Sequence, residues 1–73
     1  MNYFDAENAR EIFYTEIGLI QSAERMNITL PDLEQRLQTA DEALEKVRRI
    51  FEIETDRMQD LLNAGRGVTR WPE

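Results

Sequence analysis

The 73-residue sequence contains no cysteine and no histidine. Without cysteine there can be no disulfide, no thiolate nucleophile and no zinc site built on sulfur. Without histidine the chain lacks the most common general base, and also the ligand that completes the carboxylate metal sites of helical bundles. We therefore expect a protein that is not an enzyme and that holds no metal and no cofactor.

Long apolar segments and a positive net charge are also missing. No apolar run approaches the roughly 20 residues of a membrane span, and the first ten residues, MNYFDAENAR, lack the basic and apolar segments of a secretory signal. The net charge of −6 disfavours binding to nucleic-acid phosphates and to anionic lipid. We expect a cytoplasmic protein that binds neither membranes nor nucleic acid directly, and for which a basic protein is a natural partner.

Helix signals divide the chain into two helices and a tail. Asn27 can adopt the left-handed conformation that ends a helix, while Thr29 can cap the next helix and Pro31 falls in its first turn. Gly65 is a typical helix stop. These signals predict a helical domain over residues 1–64, with helices at about 4–26 and 30–64, followed by a short C-terminal tail over 65–73. The short turn predicts an antiparallel hairpin.

Both predicted helices carry broad apolar stripes. The second has spacings that alternate between three and four, the a/d pattern of a coiled coil. The stripe of the first helix covers about half of its circumference, which is more than one neighbouring helix can bury. Its members are Ala6, Ala9, Ile12, Phe13, Ile17, Leu19, Ile20, Ala23 and Met26.

The second helix is longer than the first by about ten residues, so a hairpin leaves an apolar overhang. An exposed patch of this kind marks an interface. We expect an all-α fold in which two hairpins dimerise into a four-helix or coiled-coil-like bundle. The residues expected at protein interfaces are Ile50, Phe51, Met58, Leu61 and Leu62, together with Arg70 and Trp71 in the tail.

Two carboxylates, Glu16 and Glu54, lie within the apolar stripes, where a perturbed pKa can mark a functional group. Structural ion pairs are the more common role of such residues in helical seams. Arg57 follows Glu54 by one helical turn, and Arg10 or Arg25 could reach across from the first helix. We expect salt bridges at both carboxylates.

The back of the second helix is acidic. Its carboxylates fall within about 100° of arc, which suits either a solvated face or a mimic of nucleic acid that blocks a basic protein. The residues of this acidic face are Glu34, Asp41, Glu45, Glu52, Asp56 and Asp60.

The tail contains the only tryptophan, Trp71, beside Arg70. Tryptophan and arginine are enriched at binding hot spots, so the tail either folds onto its own dimer or is recognised by another protein.

These features predict a non-enzymatic protein–protein interaction module that acts as a homodimer, such as a regulator, inhibitor, adaptor or dedicated chaperone. One alternative is an acidic nucleic-acid mimic that inhibits a basic nucleic-acid-binding protein. Another is a structural subunit of a larger assembly. Ionic strength separates the first two, because mimicry between charged surfaces weakens steeply with salt and apolar binding does not.

Overall fold

The computed structural model describes the backbone of residues 3–50 and 52–67 and the side chains of residues 5–50 and 54–67. This part of the chain forms three α-helices and no strand: α1 (Tyr3–Arg25), α2 (Leu33–Arg48) and α3 (Glu52–Arg66). The predicted all-α class is confirmed. The predicted single long second helix is wrong, because α2 and α3 are separate helices.

The end of α1 follows the sequence prediction for Asn27. This residue has a φ of 57°, in the left-handed region that asparagine tolerates better than most residues. Its N–H donates to the carbonyl oxygen of Glu24 at 3.1 Å, and the N–H of Ile28 donates to that of Ala23 at 2.8 Å. These two bonds form a Schellman motif, which satisfies carbonyls at the helix end and turns the chain toward α2.

The start of α2 differs from the prediction. The helix begins at Leu33 rather than near residue 30, and its N-cap is Asp32, whose side chain makes no capping hydrogen bond. Pro31 explains the delay, because proline disfavours helical backbone angles in the residue before it, here Leu30. The Asp32 carboxylate instead accepts a hydrogen bond from Nε of Arg36 at 3.2 Å.

A tight turn ends α2 where the sequence predicts continuous helix. The N–H of Ile50 donates to the carbonyl oxygen of Val47 at 2.9 Å, a bond of the 3₁₀ type. The chain then folds back, so that Nη2 of Arg48 in α2 donates to Oε1 of Gln59 in α3 at 2.8 Å. Phe51 lies outside the described residues.

Burial explains the break. In a continuous helix Met58 and Leu62 would project beyond the end of α1, whereas both are fully buried in the folded chain. Burial of a side chain of this size contributes about 1.5–3 kcal/mol, whereas each helical hydrogen bond lost contributes a net of about 1 kcal/mol. The apolar periodicity therefore continues through the turn. The apolar residues before the turn lie on α2 and those after it lie on α3, and both helices cover α1. The predicted hairpin with an overhang is replaced by a three-helix unit.

Gly65 is a packing residue and not the helix stop that the sequence suggests. It is buried within the last turn of α3, which continues to Arg66. A Cβ atom at Gly65 would lie 3.3 Å from Cδ2 of Leu37 and 3.8 Å from methyl carbons of Ile17 and Ile20. The missing side chain thus lets α3 approach α1 and α2 closely. The core that the three helices share contains Ala9, Phe13, Ile17, Ile20, Leu33, Leu37, Ala40, Ala43, Leu44, Val47, Met58 and Leu62.

Candidate interaction surfaces

A polar cluster joins α1 to α3, and we call it the α1–α3 clasp (Arg10, Tyr14 and Glu54). Oε2 of Glu54 accepts hydrogen bonds from Nε of Arg10 at 2.8 Å and from the hydroxyl of Tyr14 at 2.7 Å. Cζ of Arg10 also lies 5.6 Å from the centroid of the Tyr14 ring, within the range of a cation–π contact. The ring of Tyr14 packs edge-on against Phe13, with centroids 5.4 Å apart.

The clasp fixes the protonation states of its members. The hydrogen bond from Arg10, followed by the one from Tyr14, holds the pKa of Glu54 below its ordinary value of 4.5. Burial, followed by the bond to Glu54, raises the pKa of Tyr14 above 10.0. At neutral pH the carboxylate is therefore charged and the phenol neutral, and neither pKa lies near the range that favours acid–base catalysis.

A second ion-pair cluster holds Glu16 on the other side of α1. Nη1 of Arg36 lies 3.2 Å from Oε2 of Glu16, and Nη2 of the same arginine lies 3.2 Å from Oδ2 of Asp32. The prediction of salt bridges at Glu16 and Glu54 is thus confirmed. Arg10 is one of the partners predicted from the sequence, whereas Arg36 was missed because a contact between helices depends on a register that spacing does not give.

The described part of the chain contains neither a cluster of metal ligands nor a helix that could span a membrane. No group of three or more acidic side chains is placed there to hold a metal ion. None of the three helices combines the length and the apolar character needed to cross a membrane.

The predicted acidic face is divided between two helices. Asp41 of α2 faces α3 and pairs with Nη2 of Arg66 at 3.3 Å, while Glu45 lies 3.6 Å from Nε of Arg48. The expected continuous stripe is wrong, because the turn after α2 reverses the chain. Of the remaining members, Glu34, Asp56 and Asp60 are exposed, and the side chain of Glu52 lies outside the described residues.

The residues predicted at interfaces are also separated. Met58 and Leu62 are fully buried within the chain, so the exposed overhang that suggested an interface there is wrong for these two residues. Leu61 is partly buried against the same core, and Ile50 is exposed. Phe51, Arg70 and Trp71 lie outside the described residues.

The structure instead exposes one side of α1. Ile12, Leu19 and Met26 are 47%, 44% and 66% exposed, and their spacing of seven residues places them in one row along the helix. Leu19 is nine residues from Arg10, which corresponds to about 180° around the helix. The row therefore lies opposite the α1–α3 clasp, and we call it the open face (Ile12, Leu19 and Met26).

Two shallow grooves lie beside the open face, and one of them reaches α2. A groove of about 460 Å³ runs between the two helices, and its apolar lining comes from Ala9, Ile12 and Ala43. A second groove, of about 510 Å³, lies along α1 between Asn8 and Glu16. Ile12 lines both grooves, so this side of the molecule offers apolar contacts that α3 does not cover.

Comparisons with known proteins give no relative: no protein-family model, no curated protein and no solved structure matches this chain.

Proposed function

We propose that this protein is a non-enzymatic protein–protein interaction module that acts as a homodimer and binds through the open face. The observation that carries the proposal is the row formed by Ile12, Leu19 and Met26, which stays exposed although α2 and α3 cover the other sides of α1. A row of large apolar side chains on one helix is the feature by which helices recognise one another.

The two clusters of ion pairs support a binding role over a catalytic one. Glu16 and Glu54 are each held by an arginine of another helix. Carboxylates held in this way orient the three helices and leave few groups poised for proton transfer. The open face, which is apolar, then remains the candidate surface for function.

Sedimentation velocity over a concentration series tests the proposal. The wild type should form a dimer, and Leu19→Lys should abolish it, because the substitution places a charge in the centre of the open face. Ile50→Lys is a matched control, since Ile50 is 40% exposed and Leu19 is 44% exposed. A dimer that survives Leu19→Lys but not Ile50→Lys would move the interface to the turn between α2 and α3 and contradict the proposal.

Ionic strength provides a second readout on the same samples. Each chain carries a net charge of −6, so two copies repel one another at low salt. Association through the open face should therefore persist or strengthen as salt is added. A steep loss of association with salt would instead favour binding between charged surfaces.

A chain that ends at Gly67 separates the open face from the tail. The last turn of α3 and the Asp41–Arg66 pair remain in this shortened chain. If the open face is the interface, the shortened chain should dimerise as the full chain does. Loss of the dimer would show that residues 68–73, which include Arg70 and Trp71, are required, as the sequence suggested, and would contradict an interface confined to α1.

A further inference from the structure

The open face is part of a longer pattern on α1. Starting at Asn8, residues of this side follow one another at alternating spacings of four and three, which are the a and d positions of a coiled-coil seam. The pattern stays helical to its end, because the N–H of Met26 donates to the carbonyl oxygen of Ser22 at 3.0 Å. Large apolar residues alternate with small polar ones in the order Asn8, Ile12, Thr15, Leu19, Ser22 and Met26.

Charged residues flank this seam in a symmetrical way. Glu11 and Arg25 lie on the same edge, and Gly18 is midway between them in the sequence. Both charged side chains are exposed, and Nη2 of Arg25 donates to Oγ of Ser22 at 3.3 Å, which holds the guanidinium beside the seam. A helix with opposite charges at equal distances from a central point is complementary to its own reversed copy.

We infer that the α1 seam binds a second copy of this chain with the two α1 helices antiparallel and a two-fold axis close to Gly18. This inference rests on the self-association proposed above and specifies its geometry. In this arrangement each large side chain faces a small one: Ile12 faces Ser22 of the second copy, and Leu19 faces Thr15. Such alternation lets the side chains of facing layers interdigitate.

Charge selects the antiparallel orientation. When two α1 helices run in opposite directions, their g positions face one another, so Glu11 meets Arg25 of the second copy at both ends of the seam. In a parallel pair, the g position of one helix faces the next e position of the other, and Glu11 would meet Glu16. The e positions also face one another in the antiparallel pair and bring Glu16 near Glu16 of the second copy. Each of these carboxylates is balanced by Arg36 of its own chain, 3.2 Å away, and the two attractive Glu11–Arg25 pairs outnumber this one contact.

Gly18 suits the crossing point of the two helices. Beyond its chain neighbours and the nearby backbone of α1, a Cβ atom added there would meet no atom within 4 Å, so packing against other side chains or helices of the chain does not account for this glycine in the middle of a helix. On a two-fold axis, a missing side chain allows two backbones to approach closely. A missing side chain has the same effect at Gly65, where it lets α3 approach Leu37, Ile17 and Ile20 of its own chain closely.

Charge reversal tests the arrangement. Glu11→Arg and Arg25→Glu should each weaken dimerisation by about tenfold, because two attractive pairs become repulsive. The double variant Glu11→Arg/Arg25→Glu should dimerise like the wild type. An equimolar mixture of the two single variants should form a heterodimer, since every facing pair is again of opposite charge. Glu24→Arg is the control, because it reverses a charge on α1 about 140° away from Leu19.

Cross-linking gives a second, independent readout, and the absence of natural cysteine makes each introduced thiol unique. The antiparallel arrangement predicts a disulfide-linked dimer from a mixture of Glu11→Cys and Arg25→Cys chains, and little from either variant alone. In a parallel pair residue 11 faces residue 16 of the other copy, so a linked dimer from a mixture of Glu11→Cys and Glu16→Cys chains, with none from the first mixture, would overturn the inference.

The outcomes also separate this inference from the proposed function. If Leu19→Lys abolishes the dimer but the charge reversals weaken it no more than Glu24→Arg does, the open face is the interface and the antiparallel arrangement is wrong. If the wild type remains a monomer throughout the concentration series, both the inference and the proposed homodimer are overturned.

Discussion

Arg10 of α1 and Glu54 of α3 are 44 positions apart in the sequence, yet Nε of the arginine lies 2.8 Å from Oε2 of the carboxylate. The hydroxyl of Tyr14 reaches the same oxygen. This contact lies at the start of α3, whereas Gly65 packs against Ile17 and Ile20 near its end. Together the two contacts fix α3 along one side of α1 and leave the opposite side as the open face.

The hydrogen bond from Tyr14 to Glu54 should contribute measurably to stability. Replacement of Tyr14 by Phe removes only the hydroxyl, so we expect the free energy of unfolding to fall by about 0.5–1.5 kcal/mol. Chemical denaturation of Tyr14→Phe, Glu54→Gln and the double variant gives the coupling energy. Additive effects of the two substitutions would show that the hydrogen bond does not stabilise the folded chain.

The clasp should also make stability depend on pH. Because the pKa of Glu54 is lowered in the folded chain, its stabilising effect is present above its ordinary value and is lost as pH falls through the lowered value. The difference in free energy of unfolding between wild type and Glu54→Gln should thus be constant from about pH 7 to about pH 5 and then shrink. Chemical denaturation of both proteins at a series of pH values measures this difference.

Glu34→Gln is the control for that series. Glu34 is exposed in the first turn of α2. An equal change for both variants would contradict a special role of the clasp in acid unfolding.

The burial of α3 predicts strong effects at its core positions. Leu62→Ala should lower the free energy of unfolding by about 2–5 kcal/mol, because it leaves a cavity at a fully buried site. Leu61 is a partly buried neighbour of this site, so Leu61→Ala should lower the free energy of unfolding by less. Measuring both in the Leu19→Lys background, which is expected to be monomeric, separates packing within the chain from packing between chains. Equal, small effects would support the exposed overhang that the sequence suggested.

The two helical glycines should respond differently to alanine. Gly18→Ala should stabilise the monomer by about 0.5–1 kcal/mol, since the site is open and alanine favours helix. Gly65→Ala brings the same increase in helix propensity, but the added Cβ atom would lie 3.3 Å from Cδ2 of Leu37. The gain in stability at Gly65 should therefore be smaller than at Gly18, or become a loss. Thermal denaturation in the Leu19→Lys background measures both, and a larger gain at Gly65 would contradict the close approach of α3.

The sequence was sufficient to predict that the chain is helical and where α1 ends, because these features depend on local rules. Asn27 showed where α1 ends, and the apolar stripes showed which faces are buried. The turn after Val47 was missed because the a/d spacing runs through it without interruption, and no proline or glycine marks it. Whether the chain continues or folds back there depends on the burial of Met58 and Leu62 against α1, which local patterns do not encode.

The exposed apolar row of α1 was visible in the sequence, although the interface residues predicted from the sequence lie in the second helix and the tail. The apolar stripe of α1 was already too broad for one neighbour, and that excess width is the signal for the open face. Two neighbours, α2 and α3, cover most of the stripe and leave Ile12, Leu19 and Met26 at its edge. The sequence indicated an overhang instead, because two helices of unequal length would leave the end of the second one uncovered.

Methyl NMR spectra recorded over a dilution series test the central claim most directly, because they report which side chains change environment when two copies meet. The account predicts concentration-dependent shifts for the methyl groups of Ile12, Leu19 and Met26, with those of Met58 and Leu62 unchanged. Shifts confined to Met58 and Leu62, or spectra that do not change with concentration in a chain that stays monomeric, would contradict it.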